Sequence, residues 1–364
     1  MTTSDAEFLS GRALSRLLYE EAVRPILERL WPGLPHAAAL VGAGSEVLGF
    51  DTPRSTDHDW GPRLLLFLTA ADAAAHGTRI HRELAERLPK QVHGHPTHFQ
   101  QVNDRVGHLH PTDGPVNHRV LTLDTRSWLT GQLGVDPTAA ELTVRDWLAM
   151  PQQSLAEVTA GEVFHDGVGT LSAARQRLAW YPDQVWRYLL TCQWQRISQE
   201  EAFVGRCAEV GDALGSAVVA ARLVRDLMRL CLLLGRRYAP YGKWLGSAFG
   251  QLPVAEKLTP SLQGALAATE YRQRATHLCN AYEVVAALHN ETGLTEPLAT
   301  TCRRYHGRPY RVLFAERFAN AVAETVTDAR LRLLPRIGNV DQWADSTDLL
   351  GSQELRHAVI DALP

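Results

Sequence analysis

Gly44-Ser45 and Asp57-His58-Asp59 stand between two apolar runs, 37–41 and 64–68, and their residue types suit phosphate and divalent-metal chemistry. Gly44 lets backbone approach an anion closely, and Ser45 adds a hydroxyl at the start of an expected short helix, where N–H groups and the dipole favour phosphate. Asp57 and Asp59 are expected at the mouth of a strand. Alternate strand residues share a face, which places the two carboxylates on one side, about 7 Å apart along the backbone. Such a pair suits Mg²⁺, which takes one or two protein acids and keeps positions for substrate phosphate. Phosphate at one end and metal at the other is what phosphoryl transfer needs.

The elements that must position these residues follow from the apolar periodicity. Residues 9–30 read as a helix, stopped by Trp31-Pro32-Gly33. Strands are expected at 37–41 and 57–68, with the short helix at 45–50 between them and a helix at 70–88 returning across the sheet. Two more strands, 97–102 and 117–124, are separated by a polar loop, and a helix at 125–133 closes this part. From about residue 136 long helices take over, at 138–150, 170–180, 182–210, 212–236, 239–249, 261–290 and 311–333. A short strand-like stretch at 161–165 interrupts them. The expected fold is α+β: a small mixed-sheet lobe over 1–135, followed by an all-α helical bundle over 136–364.

Composition narrows the function. The 364 residues carry a net charge of −3, which argues against holding nucleic acid by bulk positive charge and leaves a local basic channel open. Five scattered cysteines without C-x-x-C spacing read as reduced thiols, which points to a cytoplasmic protein. No apolar run approaches the length of a membrane span. His93, His95 and His98 share a Gly/Pro loop and read as solvated rather than zinc-binding. Residues 236–245 surround a helix break at Pro240 with arginines, tyrosines, a lysine and a tryptophan. They suit either a helix end set against its dipole or an edge that contacts phosphate and base. Asp341-Gln-Trp-Ala-Asp-Ser-Thr-Asp348 reads as a surface loop or a substrate-facing one.

Gly44-Ser45, the spacer and Asp57-x-Asp59 together resemble the signature of the polymerase-β-like nucleotidyltransferase superfamily. More narrowly, Gly44-Ser-Glu-Val-Leu-Gly-Phe-Asp51, Ser55-Thr-Asp-His-Asp-Trp-Gly-Pro-Arg63, Arg237-Tyr-Ala-Pro-Tyr-Gly-Lys-Trp-Leu245 and the 337–350 segment resemble a bacterial nucleotidyltransferase-like family, domain of unknown function 4037. The resemblance implies transfer of a nucleoside monophosphate from an NTP to an acceptor hydroxyl, with Mg²⁺ or Mn²⁺. It makes Asp57 and Asp59 the metal ligands, and Gly44, Ser45, Arg63, Tyr238, Tyr241 and Lys243 the nucleotide-binding set. Superfamily members add a third carboxylate on a neighbouring strand. Here that position falls at Leu121, and Asp124 is the substitute, on the opposite face unless a bulge intervenes. The acidic chain favours a small-molecule acceptor. The alternatives are a catalytically degenerate nucleotide-binding or regulatory protein, and a protein-modifying, antitoxin-like AMP transferase. Base preference, acceptor and oligomeric state do not follow from the residues.

Overall fold

The computed structural model describes residues 8–103, 106–139 and 141–363. The chain forms two compact units, Met1–Glu141 with Ser154–Ala179, and Leu142–Gln153 with Trp180–Pro364. The class is α+β as expected, with a small mixed sheet and many helices.

In the first unit the strands are β1 (Ala37–Leu40), β2 (Arg63–Leu68), β3 (Phe99–Asn103), β4 (Val106–Leu109), β5 (Arg119–Asp124) and β6 (Glu162–Asp166), with a minimal ladder of Gln91–Val92 on His95–Pro96. The main sheet runs β5-β2-β1-β6. β1 is antiparallel to both its neighbours, while β2 and β5 are parallel, with Arg63 beside Arg119 and Leu68 beside Asp124. β3 and β4 form a separate hairpin, so the strand expected at 97–102 does not join the main sheet.

The unbroken apolar run Leu64–Leu68 marks a strand covered on both faces. Leu64, Leu66 and Leu68 pack with Leu14, Leu18, Leu27, Ile80 and Leu84, whereas Leu65 and Phe67 pack with Ala37, Ala39, Val41 and Leu171. Helix Ala70–Arg87 supplies Ile80 and Leu84; its cap is Thr69, whose hydroxyl accepts from the Asp72 N–H. The N-terminal helix comprises Gly11–Leu17, a π-helical stretch Leu18–Val23, and Arg24–Leu30. Pro25 has no N–H to donate into the preceding turn, which accounts for the widened stretch.

β6 lies well beyond residue 135. Its pairing with β1 draws 154–179 into the first unit, so this unit is not one stretch ending at 135. The five-residue strand gave only a weak signal in sequence, yet without it β1 would be an unpaired sheet edge.

The second unit is helical. The helix expected over 182–210 divides into Asp183–Glu200 and Phe203–Glu209, and that over 261–290 into Ala255–Ala267 and Tyr271–Glu291. The segment 311–333 contains a short strand, Arg311–Val312, and the helices Glu316–Glu324 and Ala329–Leu333. Helix Ala213–Leu234 buries Leu223, Leu227, Leu230 and Leu234, the spacing of one helical face. Among the described residues no helix is long and apolar enough to cross a membrane.

Candidate functional site

Topology brings the two sequence clusters to one end of the sheet. Because β1 and β2 are antiparallel, the exit of β1 lies beside the entry of β2. The exit of β1 carries the Gly44-Ser45 turn, and the entry of β2 carries the Asp57–Asp59 loop.

Gly44 has φ +138° and precedes the one-turn helix Ser45–Leu48. Arg63, at the entry of β2, donates from Nε to Glu46 Oε1 at 2.7 Å and from Nη2 to the Ala43 carbonyl. Glu46 is buried. A Cβ on residue 44 would meet the Arg63 guanidinium and both Glu46 carboxylate oxygens at 2.7 Å. The positive φ favours glycine here, and any Cβ would displace the ends of the Arg63 and Glu46 side chains. The Ser45 hydroxyl is half-exposed and bonds to no protein group among the described residues. Arg63 thus builds the turn, with part of its guanidinium already committed.

The acids stand differently from the expectation. β2 begins only at Arg63; Asp57 ends a 3₁₀ turn, Pro53–Asp57, and Asp59 has φ +50°. Strand alternation therefore does not orient them. Pro53, together with the Thr52–Ser55 capping box, favours the tight turn over an extended start. Asp57 Oδ1 lies 2.9 Å from His58 Nδ1, and both side chains are about half exposed. Asp59 is clasped through its backbone. Its N–H donates to the Gly107 carbonyl at 2.9 Å, and its own carbonyl accepts from Arg119 Nη1 at 2.7 Å. Its carboxylate accepts from the Gly107 N–H at 3.3 Å.

Sequence reasoning missed Arg119, Glu46 and the β3–β4 hairpin. The Arg119 guanidinium stacks 4.5 Å over Phe99 of β3, while Gly107 of β4 meets Asp59. A Cβ at Gly107 would strike the Phe99 ring at 2.3 Å. Burial, and then the neighbouring Arg63, lower the Arg119 pKa from its usual value. Two arginines at equivalent positions on adjacent strand entries were the available signal, but it needs the register to be recognised.

Asp124 is not the third acid. It caps helix Thr125–Leu133, accepting from the Ser127 N–H at 2.8 Å. β5 runs from Arg119, which touches Asp59, to Asp124, a separation of about 16 Å at roughly 3.3 Å per residue. Leu121 is 54% exposed in mid-strand. Among the described residues no group of three or more His, Cys, Asp or Glu side chains is arranged to hold a metal.

Residues 147–245 match the family model described as Domain of unknown function (DUF4037). The family resemblance is borne out there. The matched segment contains the Arg237–Leu245 motif and stops short of the Gly44–Arg63 region. No curated protein matches the chain. Among solved structures it is similar to a nucleotidyltransferase-like protein from Exiguobacterium sibiricum 255-15, with 12% identity and a TM-score of 0.32, over 87% of this chain and 93% of that one. A likeness that loose carries no argument.

Within the DUF4037 segment the expected nucleotide residues separate. Tyr238 is buried, its ring 4.8 Å from Trp180 and 5.1 Å from Tyr181, so no base can stack on it. It is a core residue, and burial raises its phenol far above the usual value. Tyr241 is exposed at the start of helix Gly242–Gly250, its N–H held by Gln153 Oε1. Lys243 is exposed, with its ammonium 4.9 Å over the Trp244 ring.

Within 341–348, Asp341 and Asp345 are held by the protein, while residues 345–348 are exposed. Asp341 accepts from the Gln152 N–H at 2.8 Å, while Asp345 pairs with Arg225 at 2.9 Å. Burial raises the Asp341 carboxyl, against the pull of the Gln152 N–H and of Arg229. The histidines of the 93–98 loop have separate partners: His93 meets Glu21, His95 packs on Trp60, and His98 accepts from the Asn117 N–H.

Proposed function

We propose that this chain is a nucleotidyltransferase that moves a nucleoside monophosphate from an NTP to an acceptor hydroxyl, with a small molecule as acceptor and release of pyrophosphate. The observation supporting this reading is the shared sheet end, where a glycine turn and an acidic loop flank neighbouring strand ends and are tied to the strands by Arg63 and Arg119.

In this reading the Gly44 backbone and the Ser45 hydroxyl receive phosphate oxygens. Arg63 holds the turn open, and Arg119 fixes the backbone of Asp59. The donor set fits Mg²⁺ or Mn²⁺ in a limited way: two exposed carboxylates, each with an oxygen outside the protein's own hydrogen bonds, suffice only if phosphate completes the shell. Such an ion, when bound, offsets triphosphate charge. Tyr241 and Lys243 are further proposed nucleotide-binding residues. A cytoplasmic location belongs to the same reading.

A second reading, nucleotide binding without transfer, draws on Leu121 at the usual acid position and on Asp124 at the far end of β5. Incubation with each NTP and Mg²⁺ or Mn²⁺, followed by mass spectrometry of small-molecule and protein fractions, tests both. Pyrophosphate with a nucleotidylated small molecule supports the main reading. Label on protein would indicate the protein-modifying alternative, and NTP retained without turnover the degenerate one. Absence of NTP binding would overturn the assignment of the site.

A further inference from the structure

Five cysteines lie in the second unit, and two of them converge. Cys279 is on helix Tyr271–Glu291, and Cys302 directly precedes the two-residue strand Arg303–Arg304. Cys302 Sγ lies 3.8 Å from the Cys279 carbonyl, and Cys279 Sγ lies 3.8 Å from the carbonyl of Arg311, whose side chain in turn holds the Cys302 carbonyl. The backbone around Cys302 is pinned on both sides. Its N–H donates to Glu283 Oε1 at 2.9 Å, and its carbonyl accepts from Arg311 Nε at 3.2 Å. Glu283 belongs to the same helix as Cys279, so the thiols stay opposed.

Their environments differ in the way that an attacking and a resolving thiol differ. Cys279 is partly exposed, while Cys302 is 1% exposed. The hydrogen bond from Cys302, helped by the Arg311 guanidinium, lowers the Cys279 thiol below its usual value, and the same contact raises that of Cys302. By contrast, burial pushes Cys192 and Cys231 up to about 12.

We propose that Cys279 and Cys302 are a peroxide-oxidisable pair that closes to a disulfide between the helix and the strand lead-in. The Cys279 thiolate attacks hydrogen peroxide; the O–O bond breaks, an S–O bond forms, and hydroxide leaves. Cys302 sulfur then attacks the Cys279 sulfenic acid. The S–S bond forms as the S–O bond breaks, and the Cys302 proton leaves with the hydroxyl as water. Peroxide is reduced by two electrons, and the two thiols are oxidised by the same number. With one sulfur 3.8 Å from the other cysteine's own carbonyl, the two residues are near neighbours, and rotation of the side chains has to bring the sulfurs to the roughly 2.05 Å of a disulfide. This inference is independent of the proposed transferase reading.

The test treats the full chain with a small excess of hydrogen peroxide and maps its peptides without reduction. The expected product is one cross-linked peptide pair joining 279 to 302, absent from Cys279→Ser and Cys302→Ser, with a thermal midpoint raised in wild type alone. Dimedone, which traps sulfenic acids, should label position 279 in Cys302→Ser and leave position 302 unlabelled in Cys279→Ser. A cross-link between other cysteines, or persistence of both thiols as separately alkylatable groups, would overturn the pairing. Dimedone on Cys302 would overturn the assigned order. Circular dichroism establishes that each variant is folded, and Cys279→Ala and Cys302→Ala replace any serine variant that is not.

Discussion

Asp59 and Glu201 are both acids that accept from backbone N–H groups, yet the two regions use them in opposite ways. Asp59 sits exposed on a loop, accepts one long bond from Gly107, and keeps carboxylate capacity unused. Glu201, in the helical unit, is 7% exposed and accepts from the N–H groups of Leu313, Phe314 and Ala315 at 2.8–3.2 Å. It interrupts the expected long helix and fastens the segment leading into helix Glu316–Glu324. An acid whose oxygens are filled by the protein is framework; an acid with spare oxygens facing solvent is available to a ligand.

The largest effect should come from emptying the framework acid. Glu201→Ala leaves three N–H groups without their acceptor and is expected to cost about 4 kcal/mol, at roughly 1–3 kcal/mol for each unsatisfied buried group less partial rehydration. Urea denaturation checks this. A loss below about 1 kcal/mol, the size of an ordinary single hydrogen bond, would erase the contrast between the two regions.

Next is the pH dependence. Burial pushes the Glu201 carboxyl up to about 7, from an ordinary value of 4.5, against the opposing backbone bonds. The folded state then binds the proton more tightly than the unfolded chain. This group's stabilisation is complete below 4.5 and is lost as pH rises through about 7, a change on the order of 3 kcal/mol. Glu201→Gln should flatten the stability profile across that window. An unchanged slope in the glutamine variant would show that other groups set it.

Asp124 tests the comparison inside the first unit. As a helix cap, its replacement by alanine should cost about 1 kcal/mol. Nucleotide affinity should stay at the wild-type value, and a loss of NTP binding in a folded Asp124→Ala variant would return this acid to the site.

The smallest stability effect belongs to the loop acids. Asp57→Asn and Asp59→Asn should each change stability by less than about 0.5 kcal/mol, as for ordinary exposed positions. Metal-dependent NTP affinity should nevertheless fall at least about tenfold, since even partners one layer behind a metal ligand are worth about 10–100-fold. Calorimetry showing unchanged affinity in both variants would remove this pair from the proposed site.

The sequence by itself determined those features that rest on local chemistry. The apolar runs at Ala37–Leu40 and Leu64–Leu68 were legible as strands, and 70–88 as a helix returning across the sheet, because burial leaves a periodic trace. Gly44 was legible as a special backbone position, although the reason for it, the Arg63 and Glu46 groups filling the space of its Cβ, was not. The DUF4037 likeness was legible from motifs, and its matched segment lies over 147–245. Tertiary structure alone decided that β6 completes the sheet and that Asp124 lies at the far end of β5 from Asp59. It likewise decided that Tyr238 is a core ring and that Arg119 stands beside the acidic loop. Each of these depends on register or on contacts between distant segments. A strand's partner, a side chain's remaining hydrogen-bond capacity and the filling of a cavity are properties of neighbours in space, and the order of residues along the chain does not name those neighbours.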